Sequence, residues 1–398
     1  MSFNKRDYYP DSGLLMEVLV SVDEFFSFVP VDIRFYSVPQ AFLEIEQRCE
    51  GKKVLFLATD SAVERAGLEN VLQRVAKKTT VTRIHKIAPN PTVSDVTERL
   101  SDLADTDIDL IISLGGGSCI DLAKVLSLFK NNVKAEDISF QTIRNLIKNK
   151  DYEHFTDSID HITIPTTAGT GSEMTKWATV WNPEKKEKLS VDNTLCFPKE
   201  AIVVPELTYT MSENLTLATG LDALCHACEA FWSNKRTPVC QELALHGIQL
   251  IAKALPRVLE NPTDVNGRKE MLLGSLFAGM AFSQTRTTAC HSISYPLTML
   301  FGMEHGFAAA STLVSIMRVN KEVVAEVEKI EKVFDAFGGL EKWIFDITTK
   351  NQLKLSSWGV KKEDIEKITE LSFTQGRMDN NPFPLDKEKV SEVLEKCL

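Results

Sequence analysis

Through its first half the chain alternates short apolar runs with amphipathic stretches. KVLFLATD (Lys53 to Asp60) predicts a buried strand ending on a polar residue, and a helical stretch follows from about Ala62 to Ala76. TTVTRIHKI (79–87) is β-branched and predicts a second strand, APNPT (88–92) a turn, and Ser94 to Ala104 a further helix. IDLIISLGGGS (108–118) is an apolar strand running into three glycines, and IDLAKVLSLF continues it as a helix. HITIPTTAGTGSE (161–173) repeats the arrangement, a strand ending in a glycine-rich turn. Short apolar strands alternating with helices predict a parallel sheet covered on both faces. Past Pro205 the pattern changes: apolar residues recur at three and four positions and β-branched runs become scarce. The expected architecture is an α/β domain over residues 1–205, with 1–25 as an extension, an all-α domain over 206–398, and a cleft between them.

Composition narrows the function classes. The chain has 398 residues, 43% of them apolar, and a net charge of −10. An acidic chain with no basic cluster is not a nucleic-acid binder, although a local basic pocket for a small anion stays open. No apolar run approaches the ~18 residues of a membrane span. The N-terminal apolar stretch is broken by Glu17 and Asp23 and lacks a small-residue cleavage site, so it does not read as a signal peptide. Eight cysteines spread over this length are too sparse for a disulfide scaffold. The expectation is a cytoplasmic protein without membrane or nucleic-acid partners.

Two strand-end loops suggest an anion site. In GGGSCIDLAK, the glycines Gly115, Gly116 and Gly117 let backbone amides approach a phosphate at the start of a helix. Ser118 offers a hydroxyl, and Asp121 is expected in the first helical turn. PTTAGTGSE adds a second hydroxyl-rich loop, and two such loops suit a ligand lying across the carboxyl edge of the sheet. Asp60, just past the first strand, could accept hydrogen bonds from a ribose and repel a 2′-phosphate, or could simply cap a helix.

The helical half holds a second constellation. Asp222 and His226 are four apart in GLDALCHACEA and share one helix face. His291 lies in TRTTACHSISYP and His305 in GMEHGFAAA. Three imidazoles and a carboxylate would suit a borderline divalent metal, while each histidine alone could be a packed core residue. Cys225 and Cys228 form a C-x-x-C inside a helix and read as buried cysteines, as does Cys119 within the first glycine loop.

Taken together, GGGSCIDLAK, PTTAGTGSE, GLDALCHACEA, FAGMAFS, APNPT and the His291/His305 pair resemble the iron-containing (group III) alcohol dehydrogenase family. The resemblance implies a Rossmann-like N-terminal domain and a helical C-terminal domain, in the dehydroquinate-synthase-like arrangement. It implies NAD(H), favoured over NADP(H), and one divalent metal, Fe2+ or alternatively Zn2+, held by Asp222, His226, His291 and His305. It places the pyrophosphate on Gly115, Gly116, Gly117 and Ser118 with Asp121 nearby. Asn90, Thr166, Thr167, Thr170 and Ser172 would line the cofactor, and Asp60 would take the adenosine ribose. A homodimer is implied by the family alone. One departure is Tyr295, which stands where many members carry another histidine; a phenol with a pKa of about 10 is a poorer proton shuttle near neutrality.

The substrate would be a small alcohol or aldehyde, met by Lys176, Trp177, Phe282, Arg286, Thr287 and Thr288. An arginine beside the metal would suit an anionic substrate, unless an acidic neighbour pairs with it. TRTTACHSISYPLT also looks like the branch of this family that reduces phosphonoacetaldehyde to 2-hydroxyethylphosphonate. The alternatives are a neutral alcohol or diol dehydrogenase, a glycerol-1-phosphate dehydrogenase, or a dehydroquinate-synthase-like enzyme.

Overall fold

The computed structural model describes residues 29–185, 187–348 and 352–398, so the expected N-terminal extension lies outside the described residues. Eight strands occur among the described residues: β1 (Asp32–Phe35), β2 (Val54–Leu57), β3 (Val81–Ile84), β4 (Leu110–Gly115), β5 (Asp160–Pro165), β6 (Trp177–Asn182), β7 (Glu187–Asp192) and β8 (Glu200–Val203). Six form one parallel sheet in the order β1-β8-β5-β4-β2-β3, and β6 and β7 form a separate antiparallel hairpin.

β2 and β4 are buried at every position, in keeping with sequences that are apolar except for Ser113, whose hydroxyl is bonded to His161. Their side chains alternate between two cores. Val54, Phe56, Leu110 and Ile112 meet α1 (Val38–Cys49), α2 (Asp60–Ala66) and α3 (Glu69–Ala76) on one face. Leu55, Leu57 and Ile111 meet α4 (Val93–Asp102), α5 (Gly117–Phe129) and α6 (Phe140–Asn149) on the other. The single helix expected over 62–76 is two, because Gly67 adopts a left-handed φ of +69° and its amide closes back on the Glu64 carbonyl. From β2 the chain goes out to β3 and returns to β4 on β2's other side. The connections that leave β2 and β4 therefore run to opposite faces of the sheet, and the crevice between them is flanked by the first glycine loop.

The second half is helical: α7 (Glu213–Trp232), α8 (Pro238–Glu260), α9 (Val265–Thr285), α10 (Ala289–Phe301) and α11 (His305–Lys321), then α12 (Glu328–Val333), α13 (Leu340–Ile347), α14 (Ile365–Leu371) and α15 (Lys387–Lys396). From Thr216 to Trp232 every residue of α7 except Thr219 is buried, so α7 is the central helix, packed by α8, α9 and α11. α11 crosses α7 so closely that a Cβ on Gly306 would overlap the Ala218 carbonyl; a glycine is required directly after His305. Among the described residues no helix is long and apolar enough to cross a membrane.

Candidate active site

A cleft of about 550 Å³ opens between the carboxyl edge of the sheet and the helical half. On the sheet side, Gly116 caps α5 without a side chain, so no side chain competes for the first-turn amides. A Cβ on Gly117 would stand 2.7 Å from Thr170 Cγ2, which ties the two glycine loops together. Asn90, at a φ of +57°, donates its amide to Ser118 Oγ at 3.0 Å. Ser118 thus accepts within the protein, beside the loop it was expected to serve as a donor. Thr166 donates its amide to the Gly115 carbonyl at 3.1 Å, and Thr167 packs over Gly116.

Asp121 lies past the first turn of α5 rather than within it, and its carboxylate is a brace. It accepts from Ser172 Oγ at 2.5 Å and from the Thr179 amide at 2.8 Å, joining α5 to the second loop and the hairpin. Lys124, fully buried one turn on, donates to Ser172 Oγ and Thr175 Oγ1 at 2.9 Å each and to the Trp177 carbonyl at 3.0 Å. Burial lowers its ammonium to about 8, against the attraction of Asp121. This network was not anticipated, although Lys124 closes the motif that carries the loop. Asp60 opens α2 outside the cleft and accepts from Arg83 Nη2 at 3.1 Å, so its charge faces a guanidinium. Cys119 is buried against the Leu57 carbonyl with its thiol pushed up to about 12, consistent with packing. Cys225 and Cys228 are likewise buried and free.

On the helical side, α7 supplies Asp222 and His226, α10 supplies His291, and α11 begins with His305. Donor atoms of Asp222, His226 and His291 all lie within 4.8 Å of one another. Asp222 Oδ1 is 3.3 Å from His291 Nε2 and 3.8 Å from His305 Nε2. His305 completes the group from the rim, its side chain 36% exposed. Asp222 Oδ1, His226 Nδ1 and His291 Nε2 are buried yet have no hydrogen-bond partner. Burial drives the His226 imidazole down to about 4, leaving it neutral with a lone pair to offer. Burial would raise the Asp222 carboxyl, but the surrounding imidazoles outweigh it and keep the group ionised.

Glu229 completes the design. It accepts from the amides of Thr288 at 3.1 Å and Cys290 at 2.8 Å, from Thr288 Oγ1 at 2.8 Å, and from His291 Nδ1. A carboxylate on Nδ1 sets the ring so that Nε2 faces Asp222. Phe282 stacks on the His226 ring, with centroids 4.2 Å apart and planes within 10°.

The rest of the cleft differs from expectation at Arg286, Lys176 and Thr288, none of which lines it; Thr288 is buried against Glu229 and Trp232. Arg286 does not reach into it: its guanidinium is paired with Asp192 and lies over the Trp177 ring at 5.5 Å. Lys176 Nζ also points at Asp192, 3.9 Å away. Trp177, Phe282 and Thr287 do line the cleft. Tyr295 lines it too, its ring parallel to His305 at 6.1 Å and Lys188 Nζ 3.4 Å from its ring centre. Burial would raise its phenol, but Lys188 and Arg377 outweigh that and bring it down to about 7, well below the value expected from sequence.

Comparison with known proteins matches this arrangement. The iron-containing alcohol dehydrogenase model matches residues 33–205, and the C-terminal model of the Fe-containing alcohol dehydrogenase family matches residues 216–398. The chain belongs to the iron-containing alcohol dehydrogenase family. It is therefore an oxidoreductase acting on alcohols. It is 29% identical to alcohol dehydrogenase 4 of Saccharomyces cerevisiae over 87% of this chain and 91% of that one. It is 28% identical to the NAD-dependent methanol dehydrogenase of Bacillus methanolicus over 87% and 93%. The crystal structure of sulfoacetaldehyde reductase from Bifidobacterium kashiwanohense in complex with NAD+ superimposes with a TM-score of 0.81 at 26% identity, covering 93% of this chain and 97% of that one.

Proposed function

We propose that this dehydrogenase is metal-dependent and NAD(H)-linked, interconverting a small alcohol and its aldehyde. The observation that carries the reading is the convergence of Asp222 Oδ1, His226 Nδ1 and His291 Nε2, buried with no partner of their own. Orphaned donors of this kind are costly unless a cation satisfies them, and two or three imidazoles with one carboxylate suit iron or zinc. Asp222, His226, His291 and His305 would hold one such ion. When bound, the metal acts as a Lewis acid on the substrate oxygen, and the nicotinamide carries the hydride.

The protein's own contribution is positional. Glu229 orients His291, and Phe282 holds His226 flat against the cleft wall. The amides at Gly116, Gly117 and Ser118 would receive the pyrophosphate, with Thr170 and Ser172 beside it. Asp121 and Lys124 hold those two loops in register. Tyr295 presents the titratable hydroxyl inside the cleft and is the candidate proton donor to the substrate oxygen. Asp60 would take the adenosine ribose, which favours NAD(H); Arg83 beside it softens the repulsion of a 2′-phosphate. Phosphonoacetaldehyde is the anionic substrate of this reading, and a small neutral alcohol or diol is the alternative.

NADH and NADPH oxidation by iron-loaded protein tests this with phosphonoacetaldehyde, lactaldehyde, glycolaldehyde and butyraldehyde. Aldehyde-dependent oxidation is expected, faster with NADH by kcat/KM. No oxidation with any of the four at saturating metal would sink the proposal.

A further inference from the structure

Two cationic side chains in the cleft have no carboxylate of their own. Lys188, on β7, and Arg377, in the loop between α14 and α15, both line it. Among the described residues neither has a carboxylate within 4 Å, in contrast to Arg286, which Asp192 neutralises. Arg377 Nη1 donates to the Gly376 carbonyl at 3.0 Å, an uncharged partner. The acids that line the cleft are engaged elsewhere: Asp121 by Ser172 and the Thr179 amide, Asp222 among the imidazoles, and Glu304 by Asn214. Two cations flank one phenol, that of Tyr295.

The segment that carries Arg377 is also held in place. Ser292, one residue past His291, accepts from the Thr374 amide at 3.2 Å and donates to the Ser372 carbonyl. Asn380, buried, donates to the carbonyls of Thr285 at 2.8 Å and Thr287 at 3.0 Å. The loop is therefore sewn to the turn and helix that deliver His291, and Arg377 is a pre-positioned group rather than a surface side chain.

We propose that Arg377 is a specificity residue that binds a fixed anionic group on the substrate, a phosphonate, sulfonate or carboxylate, while the reacting carbonyl lies at Asp222, His226 and His291. This rests on the dehydrogenase reading above for the location of the carbonyl. A guanidinium in a confined cleft pairs with such anions through two parallel hydrogen bonds, and the pairing strengthens as water is excluded. The Tyr295 ring lies parallel to that of His305 with centroids 6.1 Å apart, and Arg377 lines the same cleft, so the anion and the carbonyl of a short substrate share one pocket.

Two readouts test the proposal on the full-length, metal-loaded protein. The first is the ratio of kcat/KM for an anionic aldehyde to that for butyraldehyde, with phosphonoacetaldehyde, sulfoacetaldehyde and succinic semialdehyde as the three anionic arms. The best anionic aldehyde should exceed butyraldehyde, and Arg377→Leu should cut that ratio roughly 10- to 100-fold. Arg377→Lys, which keeps the charge but loses the fork, should fall between. The arm with the highest ratio identifies the anion. The second is calorimetric titration with methylphosphonate, methanesulfonate and propionate at saturating NAD+, which fills the glycine-loop site. At least one should bind, and its Kd should rise at least about tenfold in Arg377→Leu.

The proposal is overturned if the wild type prefers butyraldehyde, or if Arg377→Leu moves neither ratio nor Kd while remaining folded by circular dichroism. If no aldehyde is reduced but an anion still binds through Arg377, the anion site stands and the dehydrogenase reading falls.

Discussion

His226→Ala should lose at least about 10³-fold in kcat/KM for aldehyde reduction and should retain much less than one metal ion per chain. His226 is one of three buried groups whose donor atoms lie within 4.8 Å and have no other partner. Removing it leaves Asp222 and His291 facing each other with an incomplete donor set. Lewis-acid assistance is worth several kcal/mol in the transition state, and each 1.36 kcal/mol is a factor of ten in rate. The fold should survive, because α7 is buried along almost its whole length by apolar neighbours that the substitution does not touch. Kinetics, metal content by mass spectrometry and circular dichroism on one preparation check the claim. A folded variant with full metal content and an unchanged rate would remove His226 from the site.

Glu229→Ala should be the most damaging substitution outside the cluster itself. Glu229 is fully buried, and its carboxylate accepts from three backbone amides, the Thr288 hydroxyl and His291 Nδ1. Burial raises its carboxyl, but His291 and Thr288 outweigh that and hold it ionised. Deleting one partner of a buried pair strands the other, at a cost of about 3–5 kcal/mol. Loss of the carboxylate behind a ligating histidine typically weakens metal binding by about 10–100-fold. Urea unfolding and competition with a chelator measure the two effects separately. Glu229→Gln, which keeps an acceptor and the volume, should recover part of the stability and less of the affinity. If Glu229→Ala binds metal as tightly as the wild type, the carboxylate is structural and does not tune His291.

The parts of the site that local sequence carries were legible. A mostly apolar strand running into three glycines and then a helix says where the loop must be, because the strand is buried on both faces and the helix begins on the third glycine. Asp222 and His226 were visible as an i, i+4 pair. Glu229 was missed, although it lies at i+7 from Asp222 and so on the same face of that helix. The boundary near Gly67 was missed because two amphipathic helices in series share one periodicity.

Other features have no local signal. The Arg286–Asp192 pair joins residues 94 apart, so Arg286 reads from sequence as an anion anchor and is neutralised in the fold. Lys188 and Arg377 lie on a hairpin and a loop from different halves of the chain, and only folding brings both to Tyr295. The same juxtaposition moves the Tyr295 phenol toward neutrality, which its residue type alone could not reveal.

The most direct test of the metal-dependent dehydrogenase reading is a titration of chelator-stripped protein with Fe2+ and, separately, Zn2+, following NADH oxidation with an aldehyde that the loaded enzyme reduces. The account predicts negligible activity without metal and a rise that breaks at one equivalent per chain for at least one of the two ions. Full activity in the stripped, metal-free protein would contradict it.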